Sequence, residues 1–197
     1  ALKNIDQGAY DSLAVGPGIG IDNDDWQKSK DYLIGFEGLL ILDADALNRI
    51  SESKLGSKFF LERKFKTWIT PHTKEFSRLF PNIKCETNVG QALKAAKDFN
   101  ISVLLKGANS IVADNKKAWQ LYGTDSQTAR AGLGDLLSGF VAGSSAIDLT
   151  LCRNITTDFF AKYVLLHSYA ASKCKKGSTA SLIGDELSKL MRKKKRG

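Results

Sequence analysis

The chain has 197 residues, 43% of them hydrophobic and 25% charged, with a formal net charge of +8. That length suits one domain with a sizeable core and leaves two domains cramped, and no apolar run approaches the roughly 18–20 residues of a membrane-spanning helix. Cys85, Cys152 and Cys174 are far apart, odd in number and form no CxxC pair, which argues against a disulfide framework or a zinc site.

Along the chain, short apolar runs alternate with amphipathic stretches, the pattern of βαβ units around a largely parallel sheet. Ser12 to Gly16 reads as a strand ending in a Gly/Pro turn, and Asp24 to Phe36 as a helix. Leu39-Leu40-Ile41-Leu42-Asp43 is a continuous apolar run of strand length, the form a buried parallel strand takes. Lys66 to Thr70 is a further strand, stopped by Pro71, and Val89 to Phe99 a helix leading into the strand Ile101 to Leu105. Ser110 to Ala113 and Ala118 to Tyr122 read as a hairpin around Asp114-Asn115. Helices are then expected over Leu133 to Ala146, Asp158 to Ser172 and Ile183 to Lys194. No repeat, low-complexity linker or composition break divides this pattern, so one α/β domain is expected over residues 1–197. The basic run from Arg192 to Arg196 reads as a solvated tail over 192–197 rather than a nucleic-acid surface, because no RNP-like motif or zinc-finger spacing accompanies it. Nothing in the sequence suggests secretion, and a cytoplasmic, homo-oligomeric protein is expected. Position 1 is Ala, so either a start residue was removed or this is one piece of a longer chain.

Ligands of open parallel sheets bind beyond the carboxyl ends of the strands. The residues expected there are Gly16-Pro17-Gly18-Ile19-Gly20, Asp43-Ala44-Asp45, Thr70 to Glu75, Lys106 to Ser110, and Gly132-Leu133-Gly134-Asp135 at the start of a long helix. Glycines before a helix let the backbone approach a ligand, and the unpaired first N–H groups suit phosphate oxygens. Asp135 reads either as an ordinary helix-capping charge or as the carboxylate that takes a proton from a hydroxyl attacking phosphorus. The Gly16–Gly20 segment lacks the dinucleotide-binding spacing and reads either as a tight turn or as a bare surface for a flat ligand. His72, which shares a face with Glu75, reads either as a cap or exposed residue or as a catalytic side chain. Lys106 needs an anionic partner, a phosphate or a carboxylate. His167 reads as a packing residue, and only one of Asp43 and Asp45 can easily face the cleft.

Taken in order, Gly16-Pro17-Gly18-Ile19-Gly20, Leu42-Asp43-Ala44-Asp45-Ala46-Leu47-Asn48, Thr70-Pro71-His72-x-x-Glu75-Phe76, Leu105-Lys106-Gly107-Ala108 and Gly132-x-Gly134-Asp135-Leu136-Leu137-Ser138-Gly139 resemble the ADP/ATP-dependent NAD(P)H-hydrate dehydratase family. The resemblance runs from about Asp11 to the last helix. It implies a ribokinase-like three-layer sandwich with a largely parallel sheet, without the family's N-terminal portion. It implies repair of hydrated NADH or NADPH, in which a nucleotide phosphorylates the ring hydroxyl and phosphate then leaves. Carried over by motif, Gly18, Gly20, His72 and Asp135 touch the hydrated cofactor, with Asp135 catalytic. Lys106, Gly107, Ala108, Asn109, Ser110 and Gly134 touch ADP or ATP. Magnesium is implied with the nucleotide, and Glu75 matches the metal-organising Glu of related vitamin kinases, whose preceding Asn is here His72. Two departures stand out: Leu133 replaces a small or hydroxyl residue, and the family's domain begins well before the GPG turn. The competing expectations are a kinase of a small vitamin-type alcohol and a non-catalytic nucleotide-binding remnant.

Overall fold

Among the described residues six strands form one sheet, in the order in which they occur along the chain. In the computed structural model, which describes residues 7–20, 23–122, 132–152, 154–175 and 177–193, β1 (Ser12–Val15), β2 (Leu39–Leu42), β3 (Thr67–Ile69) and β4 (Ser102–Leu105) run parallel. β5 (Ser110–Ala113) and β6 (Ala118–Leu121) return antiparallel, as the hairpin reading expects. The helices are α1 (Asn23–Gly35), α2 (Ala44–Glu52), α3 (Phe59–Glu62), α4 (Thr73–Leu79), α5 (Asn88–Phe99), α6 (Leu133–Cys152), α7 (Thr157–Lys173) and α8 (Ala180–Lys193).

Successive side chains of a strand point to opposite faces, and both faces of this sheet are covered. Leu40, Leu42, Ile69, Val103 and Leu105 pack with residues of α1 to α5, among them Leu33, Leu47, Phe60, Phe76 and Ala92. Their neighbours Leu39, Ile41, Trp68 and Leu104 face the other way, against Leu137 and Val141 of α6 and Phe160 and Val164 of α7. Trp68 and Phe160 stack at 4.5 Å. This double burial is why β2 and β4 read as continuous apolar runs. The helix α8 closes a smaller cluster of its Ile183 and Leu187 with Ala170 and Ala171 of α7. Among the described residues no helix is long and apolar enough to cross a membrane.

The helices differ from expectation at α2, α3 and the end of α6. Neither α2 nor α3 was expected, because Asp43 ends β2 and caps α2 at once, its side chain accepting from the Ala44 N–H, so no loop separates strand from helix. The helix α6 continues past Ala146 to Cys152, supported by the Asp148 carboxylate, which accepts from the Tyr163 hydroxyl of α7 at 2.5 Å. The helix α8 reaches Lys193, so the first two residues of the expected tail are helical and the remainder lies outside the described residues. Arg63 is buried without a carboxylate among its recorded partners. Its guanidinium donates to the carbonyls of Leu33, Ile34 and Gly38 and to the Thr67 hydroxyl, which ties the carboxyl end of α1 to β3. Burial lowers its pKa to about 10, which still leaves it charged at neutral pH.

Candidate functional site

The carboxyl ends of β1 to β4 meet the first turn of α6, and Asp43 stands at the centre. It follows Ile41 by two positions, so its side chain leaves the sheet on the α6 face. Its Oδ1 accepts from Lys106 Nζ at 2.7 Å and from the Ala44 N–H at 2.9 Å, while Oδ2 accepts from the Ser138 hydroxyl at 2.8 Å. Asp43 is 2% exposed, so the ion pair is shielded from water on the carboxylate side. The Lys106 side chain is 26% exposed and can still be approached from the cleft. The anionic partner that Lys106 requires is therefore a carboxylate in this structure. Gly134 lies beside the pair: a Cβ there would come within 3.6 Å of Asp43 Oδ2 and 3.7 Å of Lys106 Nζ. Its missing side chain keeps open the space between the ammonium and the helix start.

The turn before α6 is held from behind. The first intrahelical bond runs from the Leu136 N–H to the Gly132 carbonyl at 2.9 Å, so the N–H groups of Leu133, Gly134 and Asp135 precede the helix ladder. The Leu133 side chain packs into the cluster between α7 and α8, away from those groups. The departure at this position therefore places the Leu133 side chain among the helices rather than over the turn. His167 of α7 hydrogen-bonds the Leu133 backbone, and burial lowers its pKa to about 4. It is more than packing: one ring nitrogen reaches the turn, and Nε2 is buried without a partner. Asp135 is exposed in the first turn of α6. It heads a groove of about 740 Å³ between α6 and α8, with Phe140, Ile147 and Leu187 along its walls.

On the neighbouring strand end His72 caps α4. Its Nδ1 accepts from the N–H groups of Lys74 and Glu75 at 3.1 and 3.3 Å, and Glu75 Oε2 accepts from the His72 N–H at 2.8 Å. This reciprocal capping uses up Nδ1 and leaves Nε2, on a half-exposed ring, as the atom that can donate to a ligand. The Glu75 Oε1 lies 3.6 Å from that Nε2, and the carboxylate is buried. Among the described residues no three His, Cys, Asp or Glu side chains gather as a metal cage. A lone carboxylate turned towards His72 fits magnesium only as a minor partner beside phosphate oxygens, the usual arrangement for that ion. The parallel register continues past the strands into a bridge between His72 and Lys106, which brings the two expected binding regions side by side. Thr70, the residue before Pro71, is fully buried, and its hydroxyl finds no partner among the described residues.

The Gly16–Gly20 turn completes the rim. Gly16 has φ 139°, and a Cβ there would lie 1.7 Å from the Asp43 carbonyl oxygen, so only glycine lets β1 pass β2 at this point. Gly20, at φ 73°, donates its N–H to Asp45 Oδ2 at 3.1 Å. The Gly20 carbonyl accepts from Nε and Nη2 of Arg49 at 2.7 and 2.6 Å. Asp43 thus faces the cleft while Asp45 grips the rim. In the turn from Lys106 to Ser110, the Ser110 hydroxyl donates to the Gly107 carbonyl at 3.2 Å, and Ala108 and Asn109 are exposed. Cavities of about 470 and 730 Å³ open at the amino ends of the strands, around Lys64, Phe65 and Lys66, and contain none of these residues. Asp43 and Asp45 were expected at the ligand edge without an assigned role, Ser138 was marked only as part of the Gly132-to-Gly139 motif, and nothing in the sequence marked Arg49.

A three-layer sandwich with ligand loops at the carboxyl ends of a mostly parallel sheet is also found in ribokinase-like proteins. A ribokinase-like superfamily protein from Enterococcus faecalis aligns with TM-score 0.76 at 22% identity, covering 93% of this chain and 63% of its own. The ADP/ATP-dependent NAD(P)H-hydrate dehydratase of Bacillus subtilis, co-crystallised with ATP and Mg2+, aligns with TM-score 0.70 at 22% identity, over 93% of this chain and 64% of its own. These likenesses establish the ribokinase-like fold. Residues 1–193 match the NAD(P)H-hydrate dehydratase family, and the chain belongs to it. The bifunctional NAD(P)H-hydrate repair enzyme of Synechocystis is 34% identical over 143 residues, 72% of this chain and 26% of that protein. The Methanopyrus kandleri enzyme of the same name is 31% identical over 150 residues, 74% of this chain and 28% of that protein. The chain thus spans between about a quarter and a third of the length of these relatives.

Proposed function

We propose that this domain dehydrates hydrated NADH or NADPH, using ADP or ATP to phosphorylate the ring hydroxyl before phosphate leaves. The observation that carries the reading is the cluster of Lys106, Asp43, Ser138 and Gly134 at the start of α6, in register with His72. Membership of the NAD(P)H-hydrate dehydratase family supports the same substrate. Lys106, with the turn Gly107, Ala108, Asn109 and Ser110, holds the nucleotide phosphates on one side. The N–H groups of the α6 start, Gly134 included, hold the transferring group, where charge develops. Gly18, Gly20 and His72 Nε2 hold the hydrated ring on the other side. The Asp135 carboxylate accepts the hydroxyl proton as that oxygen bonds to phosphorus and the P–O bond to the shortened nucleotide breaks. The C–O bond of the phosphate ester then breaks while the neighbouring ring carbon gives up a proton, so that phosphate leaves and the ring C=C bond forms. Glu75, engaged with His72, is the carboxylate that would help hold magnesium beside the nucleotide, where the ion would supply positive charge against the phosphates.

The free thiols Cys85 and Cys174 accord with a cytoplasmic location. Homo-oligomerisation belongs to the same proposal, and exposed apolar side chains such as Leu151 and Leu165 offer surface for it.

Incubation with hydrated NADH, nucleotide and magnesium should restore the absorbance of the reduced nicotinamide. Phosphorylation of a thiazole or hydroxymethylpyrimidine alcohol, with hydrated NADH untouched, would replace this reading with a kinase of small alcohols. Nucleotide binding without either reaction would leave a binding remnant.

A further inference from the structure

The segment from Asp43 to Arg49 joins more parts of the site than any other, yet the proposed reaction uses only its first residue, behind Lys106. Its polar side chains reach neighbouring elements, and two of these side chains converge on Gly20. Asp43 holds Lys106 and Ser138, Asp45 accepts from the Gly20 N–H, Asn48 Oδ1 accepts from Arg78 of α4 at 2.7 Å, and Arg49 donates twice to the Gly20 carbonyl. We propose that Asp45 and Arg49 are positioning residues for the hydrated cofactor: they clamp Gly20 from both sides and so set the shape of the turn against which the substrate lies. The proposal rests on the functional reading above.

The argument turns on what Arg49 gains. The Gly20 backbone lies on an exposed turn, where water would satisfy its N–H and carbonyl without help. Arg49 is nevertheless 5% exposed, and burying a guanidinium is costly unless it is well hydrogen-bonded. Nε and Nη2 both converge on one carbonyl oxygen, a planar fork that a lysine ammonium cannot copy. The other end of the turn is equally fixed, because Gly16 presses on the Asp43 carbonyl. Only Pro17, Gly18 and Ile19 lie between these two anchors, and Ile19 stands 41% exposed at the rim. A five-residue turn rich in glycine would otherwise sample many shapes, and ordering it would be charged against substrate binding. The clamp removes that cost in advance. It acts on the substrate side alone, since the nucleotide side is tied to the same helix through its cap Asp43 and not through Asp45 or Arg49.

The test compares Arg49→Ala, Arg49→Lys and Asp45→Asn with the unaltered protein. Calorimetric titration reads affinity for hydrated NADH and, separately, for ADP with magnesium, and hydrogen exchange reads residues 16–20. Losing two charge-assisted bonds in Arg49→Ala should weaken hydrated NADH binding about tenfold or more, with Arg49→Lys recovering part of the loss. ADP affinity should stay within about twofold, because no nucleotide contact is touched. Exchange across 16–20 should accelerate in all three variants, most in Arg49→Ala. Equal weakening of both ligands, or unchanged binding of hydrated NADH, would overturn the proposal. If the unaltered protein binds no hydrated NADH, the functional reading fails; exchange that is then unchanged in the variants would sink the clamp as well. Should Arg49→Ala not fold, the two milder substitutions carry the same comparison.

Discussion

Asp135 and Asp43 are two carboxylates with opposite surroundings, and their substitution should separate chemistry from architecture. Asp135 is exposed in the first turn of α6. In the proposed role of accepting the hydroxyl proton, its change to Asn should lower turnover roughly 10²–10⁴-fold. Nucleotide affinity should hardly change, and Asn also suits a helix start, so stability should move by only tenths of a kcal/mol. Near-normal turnover with intact folding would leave Asp135 as a capping charge only. Asp43 is buried under three hydrogen bonds. Asp43→Ala strands a lysine, a serine hydroxyl and a backbone N–H. The expected loss is about 3 kcal/mol, at the low end for a broken buried pair because Lys106 can still turn to water. Urea unfolding measures it, and a loss below about 1 kcal/mol would show that the pair is not shielded.

At the scale of elements, two positions report on how the loops are held. Gly16→Ala combines a forbidden φ with a Cβ driven into the Asp43 carbonyl, so β1 and β2 must part at their carboxyl ends. At least about 2 kcal/mol of stability should be lost, whereas Gly18→Ala, with open space around its Cβ, should lose less. His167, between α7 and the start of α6, gives a pH signature. Its folded pKa is lowered from 6.5 to about 4 by burial, so the folded imidazole stays neutral while the unfolded one takes up a proton. Stability is therefore full above about pH 6.5 and falls as pH drops towards 4, by about 3 kcal/mol in all. In His167→Leu that part of the slope between pH 4 and 6.5 should vanish, as read from denaturation at several pH values. An unchanged slope would mean that other groups set it.

For the whole molecule, ligand linkage is the broadest measurement. ADP or ATP with magnesium at a hundred times its dissociation constant should stabilise the folded state by about 2.7 kcal/mol. A thermal midpoint unmoved by millimolar nucleotide would remove the phosphate site at Lys106 and Gly134. Truncation after Lys193 takes away charges from the chain end, and at physiological salt their field is screened within about 8 Å. Nucleotide affinity should be unchanged by it, and a large loss would place those residues near the site.

The sequence by itself determined the layers and the edge of the sheet where chemistry belongs. Strand β2 announces itself because a parallel strand buried on both faces favours apolar residues, β4 because three of its four residues are apolar, and the start of α6 because a glycine precedes it. The motifs around Gly16, His72, Lys106 and Gly134 were visible for a related reason, since each breaks the local pattern at a strand end or a helix start. Tertiary structure alone decided their partnerships. Lys106 meets Asp43 across 63 residues, and Ser138 meets Asp43 across 95. Gly20 meets Arg49 across 29, on a helix hidden by the absence of any loop before it. Those contacts follow from strand order and register, which depend on how separate apolar faces pack together. Local propensity carries no record of that packing, so the chain could indicate a phosphate site but not which carboxylate holds its lysine.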